Sequence, residues 1–447
     1  MLLRYGCENF RSISDYQEIL LTAAPSKDES DDNLIDSGST REKLLPIIEI
    51  YGGNGSGKTN LLHALRFIVN KILTSARGNT ERMVVPKFRL DDEYRNKKSV
   101  FDIDFIFQDT HYHYGFSVNN GEVLEEWLYQ ITYIKRKSTS TLFYRNSELR
   151  DEGQEFVFGK GLKGNNKNIA SVTDKGCLFF SMAAKSNHPL FTELYNFFEN
   201  NFEFRFSVEL MEQNIGRVII KNKVNDEISN FLSLVDVGAV RVEVTEQDFD
   251  DTQMSILKSI NGWVTDVAKT LGKDVDINPD VMTEFIEKEK ENKISIVRRN
   301  SQGKHVNFSF NQESLGTRAL ISFLASAFNV LKNGGIFVVD EVESSLHTLL
   351  TLKLVGLFSN KHTNPNGAQI LFSTHETQLM NFEGVRRDEI WLTEKCFDGS
   401  TKVASLLDYS IDKRSNWRKG YIEGRFGAVP ILGYVDNFNL FGGEDDE

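Results

Sequence analysis

The sequence predicts an α/β fold: a mixed sheet flanked by helices, with an antiparallel β-subdomain and a helical insert. Three observations predict it. The apolar run Leu45-Pro46-Ile47-Ile48-Glu49-Ile50-Tyr51 reads as a buried strand, and it feeds the glycine-rich stretch Gly52-Gly53-Asn54-Gly55-Ser56-Gly57-Lys58-Thr59. Residues 60–69 then place apolar side chains at helical spacing. Residues 99–145 instead alternate with the period of two that a half-buried strand requires, and Asn119-Asn120-Gly121 is a hairpin turn signal.

Taken in order, residues 1–24 read as strand, turn and strand, and the polar, acidic stretch 25–43 as a surface loop. Residues 45–75 form the strand–loop–helix unit in which a P-loop works. There the backbone N–H groups of Gly52, Asn54, Gly55, Ser56, Gly57 and Asn60 are expected to surround phosphate oxygens at the positive end of the helix. Lys58 is expected to reach the β- and γ-phosphates, and Thr59 to ligate Mg²⁺. ATP with Mg²⁺ is thus the expected ligand pair.

Helical spacing returns at 188–204, 226–235 and 253–271, predicting a helical insert over 188–290 that serves oligomerisation or holds a partner. A hairpin is expected over 293–297 and 305–310, turning at Asn300-Ser301-Gln302-Gly303. From 313 onward strands and helices alternate, and the tail Gly442-Gly443-Glu444-Asp445-Asp446-Glu447 has the composition of a disordered end. The expected division is 1–187 for an N-terminal lobe, 188–290 for the insert and 291–447 for a C-terminal lobe.

Composition bounds the alternatives. The chain has 447 residues, 40% of them hydrophobic and 26% charged, as in a globular protein with a substantial core. Its net charge of −12 argues against a general nucleic-acid-binding surface. Cys7, Cys177 and Cys396 are widely spaced, which disfavours a disulfide framework or a zinc site and fits a reducing, cytoplasmic setting. Neither a signal peptide nor a membrane-length apolar run is found. The 33 phenylalanines predict extensive aromatic packing.

A second half of the site lies downstream. Ile336-Phe337-Val338-Val339 is an apolar strand ending in Asp340-Glu341. Asp340 suits the Mg²⁺ shell and Glu341 the polarisation of an attacking water. Leu371-Phe372-Ser373-Thr374 ends in His375, placed to report on the γ-phosphate. Ser314 suits the N-cap of a helix running to position 331, whose free N–H groups make an anion site.

Read together, the P-loop, the Ser314-Leu315-Gly316 helix start, the Asp340-Glu341 strand, the loop Ser344-Ser345-Leu346-His347 and His375 resemble the ATP-binding-cassette ATPase head. Asn9-Phe10-Arg11-Ser12-Ile13 resembles the opening of SMC, RecF and OLD-type heads. Glu125-Glu126-Trp127-Leu128-Tyr129 and Gly424-Arg425-Phe426-Gly427-Ala428-Val429-Pro430 resemble a bacterial family of such ATPases common in anti-phage defence operons, the PARIS-type (AriA-like) ATPases among them. The resemblance implies that Lys58, Glu341 and His375 serve hydrolysis, and that Thr59 and Asp340 hold Mg²⁺. It further implies that Ser314 and Gly316 contact the γ-phosphate of ATP held by a second copy. Ser345 would cross the dimer interface, and Arg11 would touch the nucleotide near its base or α-phosphate. The implied partners are a second head, a higher homo-oligomer, and an effector such as a nuclease released on a phage trigger. The signature here reads Glu-Ser-Leu-Gly-Thr, where Leu-Ser-Gly-Gly-Gln is commoner, and no glutamine fits the lobe-coupling loop, whose place Pro86-Lys87-Phe88-Arg89-Leu90 takes.

Other classes fit less well. Asn222-Lys223-Val224-Asn225 lacks the aspartate that guanine recognition needs. A ring-forming unfoldase would not explain Ser314 or His375. A nucleotide sensor that does not hydrolyse would not need Glu341. A DNA-repair ATPase would use basic tracks or long coiled-coil arms, for which the insert is too short. The basic clusters at 133–137, Arg298-Arg299 and Arg386-Arg387 are read as solvated faces.

Overall fold

The computed structural model describes residues 1–430 except 26–29, 39, 41, 78–81, 134–136, 209–210, 236–237, 249–254, 256–258, 260–289, 383 and 412–415. The chain forms two compact units. One combines Met1–Ser207 with Val330–Glu447, and the other is Val208–Asn329.

The first unit holds two main sheets. One is antiparallel: β1 (Leu2–Glu8), β2 (Gln17–Leu20), β6 (Ser99–Phe107), β7 (Thr110–Asn119), β8 (Glu122–Thr132), β9 (Ser138–Asn146) and β10 (Phe156–Phe158), in the order β10-β9-β8-β7-β6-β1-β2. The predicted β-subdomain is thus present and is extended by β1, β2 and β10. The turn at Asn120 and Gly121, both at positive φ, joins β7 to β8.

The other sheet carries the site. It comprises β11 (Phe202–Arg205), β15 (Ile336–Val339), β16 (Gln369–Ser373), β5 (Ile47–Gly52), β17 (Ile390–Lys395) and β18 (Thr401–Ser405), in that order. The first five run parallel and β18 returns antiparallel. Every residue of β5, β15 and β16 is buried, which explains their continuous apolar runs.

Helix α1 (Lys58–Thr74) buries Leu61, Leu62, Leu65, Ile68, Val69 and Ile72 in a core that takes side chains from both sheets. The phenylalanine excess goes into the same core. Phe143, Phe179 and Phe191 meet with centroids 4.9 to 5.7 Å apart in tilted and edge-on pairs. Helices α3 (Asn166–Ser171), α4 (Phe179–Lys185) and α5 (Pro189–Asn201) close this side, α2 (Asp92–Asn96) is a short turn, and α9 (Thr348–Ser359) and α10 (Trp417–Ile422) follow later.

The segment Glu125-Glu126-Trp127-Leu128-Tyr129 has a structural task. Glu126 is fully buried and accepts the N–H groups of Phe179 and Phe180 at the start of α4, at 2.7 and 3.0 Å. The neighbouring Arg145 is fully buried too, bonded to Glu155 at 2.7 Å and to the Cys177 carbonyl at 2.7 Å.

Stretch 25–43 is less plain than a surface loop. It contains the paired strands β3 (Ile35–Asp36) and β4 (Lys43–Leu44), and its Ser30 carbonyl receives the Arg386 guanidinium at 2.9 Å. Arg386 is therefore not part of a solvated face. It is 2% exposed, and Asp388 engages it twice, at 2.9 and 2.8 Å.

The second unit contains α6 (Glu212–Asn222), α7 (Asn225–Leu234) and a sheet of β12 (Ala239–Asp248), β13 (Lys290–Arg299) and β14 (His305–Ser309). It begins and ends later than the expected 188–290 insert. Helix α5 packs into the first unit's core through Phe191, Leu194 and Phe198, and the predicted hairpin 293–310 pairs with β12. Arg298, expected on a solvated face, is ion-paired with Glu313 at 2.6 Å. The guanine-like motif is a helix ending: Lys223, at φ 52°, closes α6 by donating its N–H to the carbonyls of Ile219 and Ile220. Most of the expected 253–271 helix, Lys135 and Arg136 of the basic cluster, and the acidic tail lie outside the described residues. Among the described residues, no helix is long and apolar enough to cross a membrane.

Candidate nucleotide site

β5 ends at Gly52 and α1 begins at Lys58, so the glycine-rich loop sits at the carboxyl end of a parallel sheet, where such sheets bind ligands. Gly57 has φ 106°, and a Cβ there would lie 2.1 Å from Thr401 Oγ1, so no other residue fits. Asn54 and Gly55 form the exposed crown of the loop. Ser56 is buried, its hydroxyl 2.7 Å from that of Thr393.

Lys58 is the centre of the arrangement. Its Nζ donates to the carbonyls of Gly52 and Gly53 at 2.9 and 3.3 Å and lies 3.1 Å from His375 Nε2. Burial draws the ammonium below its ordinary pKa, while Asp340, Glu341 and Glu343 pull it back up. A lysine bound to main-chain carbonyls has donors ready to transfer to a stronger acceptor, as a polyphosphate is.

Thr59 donates its hydroxyl to Asp340 Oδ1 at 3.1 Å, and Ser373 donates to the same oxygen. A threonine hydroxyl beside an aspartate is the all-oxygen donor set that Mg²⁺ takes in P-loop enzymes, so these residues fit that ion. Glu341 follows at φ 51°, with its N–H donated to Ser373 Oγ at 2.8 Å and its side chain exposed. That left-handed backbone is uncommon for a glutamate and turns the chain sharply at the strand end. Glu343 secures the neighbouring loop by accepting the His375 N–H at 2.7 Å and the Thr374 hydroxyl at 2.8 Å. Lys58, Thr59, Asp340, Glu341 and His375, widely spaced in sequence, thus assemble at one end of one sheet.

On the other flank, Arg11 Nη1 donates to Asn60 Oδ1 at 3.3 Å, and Asn60 donates to Ser12 Oγ at 2.7 Å. Ser12 Oγ lies 2.7 Å from Thr401 Oγ1, which donates to the Ser56 carbonyl at 2.9 Å. The segment Gly424-Arg425-Phe426-Gly427-Ala428-Val429-Pro430 also reaches the loop. The Pro430 nitrogen lies 3.4 Å from where a Cβ on Gly53 would stand, and the Tyr421 and Tyr51 rings are 5.8 Å apart.

Three further expected residues are placed as follows. Ser345 is exposed at φ 63° in the first unit. Ser314 and Gly316 belong to the second unit, where Ser314 Oγ accepts the Thr317 N–H at 3.2 Å at the start of helix α8 (Leu315–Asn333). Sequence reasoning missed Ser12, Glu343, Ser373, Thr393 and Thr401. Each acts through a partner in a distant part of the chain, and a lone Ser or Thr at a strand end carries no local signal of this.

A comparison with protein families matches residues 48–381 to the family described as "AAA domain, putative AbiEii toxin, Type IV TA system". The chain belongs to this AAA-domain family. The match begins in β5 and ends beyond His375, so it spans Lys58, Thr59, Asp340, Glu341 and His375, while β17, β18 and the Arg11–Ser12 segment lie outside it. Among solved structures, the chain is similar to the SMC head domain from Thermotoga maritima, at 13% identity and a TM-score of 0.38, covering 90% of this chain and 98% of that one. It is also similar to an SMC head solved with the C-winged helix domain of ScpA, at 16% identity and a TM-score of 0.39, covering 90% and 97%. No curated protein matches it.

Proposed function

We propose that this family member is an ABC-type ATPase of the SMC/RecF/OLD-like class. ATP drives two of its heads, or a higher homo-oligomer, to associate. The assembly acts as sensor and scaffold for an effector protein in bacterial anti-phage defence, as in PARIS-type systems. The observation that carries this reading is the convergence of Lys58, the Thr59–Asp340 pair and His375 beside an exposed glutamate, Glu341. The toxin–antitoxin description of the family supports the effector half.

The chemistry follows from the positions. Lys58 exchanges its carbonyl partners for the β- and γ-phosphates. Thr59 and Asp340 would hold Mg²⁺, which when bound would neutralise charge on those oxygens. Glu341 takes the proton of the attacking water, and Ser373 fixes its backbone. His375, 3.1 Å from Lys58 Nζ, would bond the γ-phosphate while it is present. Ser314 and Gly316 of one copy complete the site of another, which makes ATP binding and association one event. Ser345 lines that interface, and Arg11 meets the α-phosphate side. The effector is a separate protein, such as a nuclease, and the setting is the cytoplasm. A role on DNA has less support, since Arg298 and Arg386 are committed to carboxylates.

Two measurements test this. Glu341→Gln is expected to retain ATP binding, to release phosphate at least about a hundredfold more slowly, and to shift to a larger mass by light scattering when ATP is added. Phosphate release at the wild-type rate would remove Glu341 from the mechanism. An unchanged mass on adding ATP would remove ATP-driven association.

A further inference from the structure

We infer that Phe397 and Leu90 form the surface on which the nucleobase packs, with Arg11 beside it. The inference rests on reading the P-loop as a triphosphate site. The γ end of that site is fixed by His375 and Asp340, which follow β16 and β15 on one side of β5. A nucleotide lying across the start of α1 therefore leaves on the opposite side, over Asn60 and toward β17 and β18.

Two loops bring apolar side chains to that exit. The β17–β18 hairpin begins at the pair Lys395 and Thr401, and Thr401 is bonded directly to the Ser56 carbonyl. Its tip is closed by the Cys396 N–H to the Ser400 carbonyl at 2.8 Å and the Gly399 N–H to the Cys396 carbonyl at 2.9 Å. Phe397 stands on this tip fully in solvent, at 111% relative exposure. The second loop is held by the Arg11 N–H on the Pro86 carbonyl, at 2.6 Å, and by the Phe88 N–H on Asn9 Oδ1, at 3.1 Å. It ends in Leu90, which is 69% exposed. The loops meet: a Cβ on Gly399 would stand 2.3 Å from Leu90 Cδ1.

Phe397 is fully exposed two residues before Gly399, which Leu90 approaches, so adjoining loop tips each present an unburied apolar side chain. The position selects the occupant. On this reading sugar and base leave the α-phosphate here, an aromatic ring accepts the face of any base, and the Arg11 guanidinium, held on Asn60 Oδ1 at 3.3 Å, would supply a cation to the base. Asn60 and Ser12 meanwhile offer hydrogen-bonding groups on the path between phosphate and base.

The test is calorimetric titration of the full chain with Mg·ATP and with Mg·tripolyphosphate, which has no base. Phe397→Ala is expected to weaken ATP binding about tenfold and to leave tripolyphosphate binding unchanged, with Phe397→Tyr close to wild type. If ATP binds, depends on Lys58, and is held equally by Phe397→Ala, the nucleobase surface is refuted. Equal weakening of both ligands would also refute it, because the substitution then acts through the loop. If wild type binds neither ligand, the triphosphate reading itself fails.

Discussion

Lys58 shows how burial and chemistry combine in one side chain. A buried ammonium is tolerated because two carbonyls and three nearby carboxylates compensate it. Glu49, in the strand that feeds the loop, has less support. It is fully buried, and its Oε2 accepts the Tyr51 hydroxyl at 2.7 Å, while Oε1 has no hydrogen-bond partner among the described residues. Burial raises its pKa to about 7 from an ordinary 4.5. The folded state therefore binds this proton more tightly than the unfolded chain. The contribution is fully present below pH 4.5 and is lost as pH rises through 7, about 3 kcal/mol in total. Glu49→Gln is expected to flatten this dependence and to melt higher than wild type at pH 8, but not at pH 5. Parallel melting curves at the two pH values would refute it.

At the scale of elements, the P-loop depends on a strand that arrives from far along the chain. β18 fits under the loop only because Gly57 has no side chain. Gly57→Ala should cost about 1–3 kcal/mol, from a left-handed backbone and from the clash with Thr401. Adding Thr401→Ala should recover the clash but not the backbone strain. A double-mutant cycle on thermal stability measures this, and strict additivity of the two changes would show that they do not meet.

The strand–loop–helix and the Asp340-Glu341 strand were legible because each is a local pattern with its own period or punctuation. The arrangement of Ser12, Asn60, Thr401 and Ser56 was not, since it joins three segments through hydroxyls common at any strand end. Arg386 misled for the same reason. In sequence it looks like half of a basic pair, and only the fold brings Asp388, Ala24 and Ser30 around it.

At the scale of the molecule, the P-loop and the Ser314 helix start belong to different compact units. The second unit prepares its own feature, with Arg298 holding Glu313 and the Thr317 N–H capped by Ser314. If two chains complete each other's sites, Ser314→Arg should leave ATP affinity of the single chain within about twofold and abolish the ATP-induced increase in mass. A variant that still associates with ATP would assign assembly to another surface.

By itself the sequence determined the glycine-rich loop at the end of a buried strand, the strand that ends in Asp340-Glu341 and the α/β class. Those depend on backbone freedom, buried apolar runs and periodicity, which are local properties. Only the tertiary structure decided where the unit boundary falls, which charges are free, and what surrounds the loop. Those depend on contacts between residues hundreds of positions apart, set by how two sheets share one core around α1.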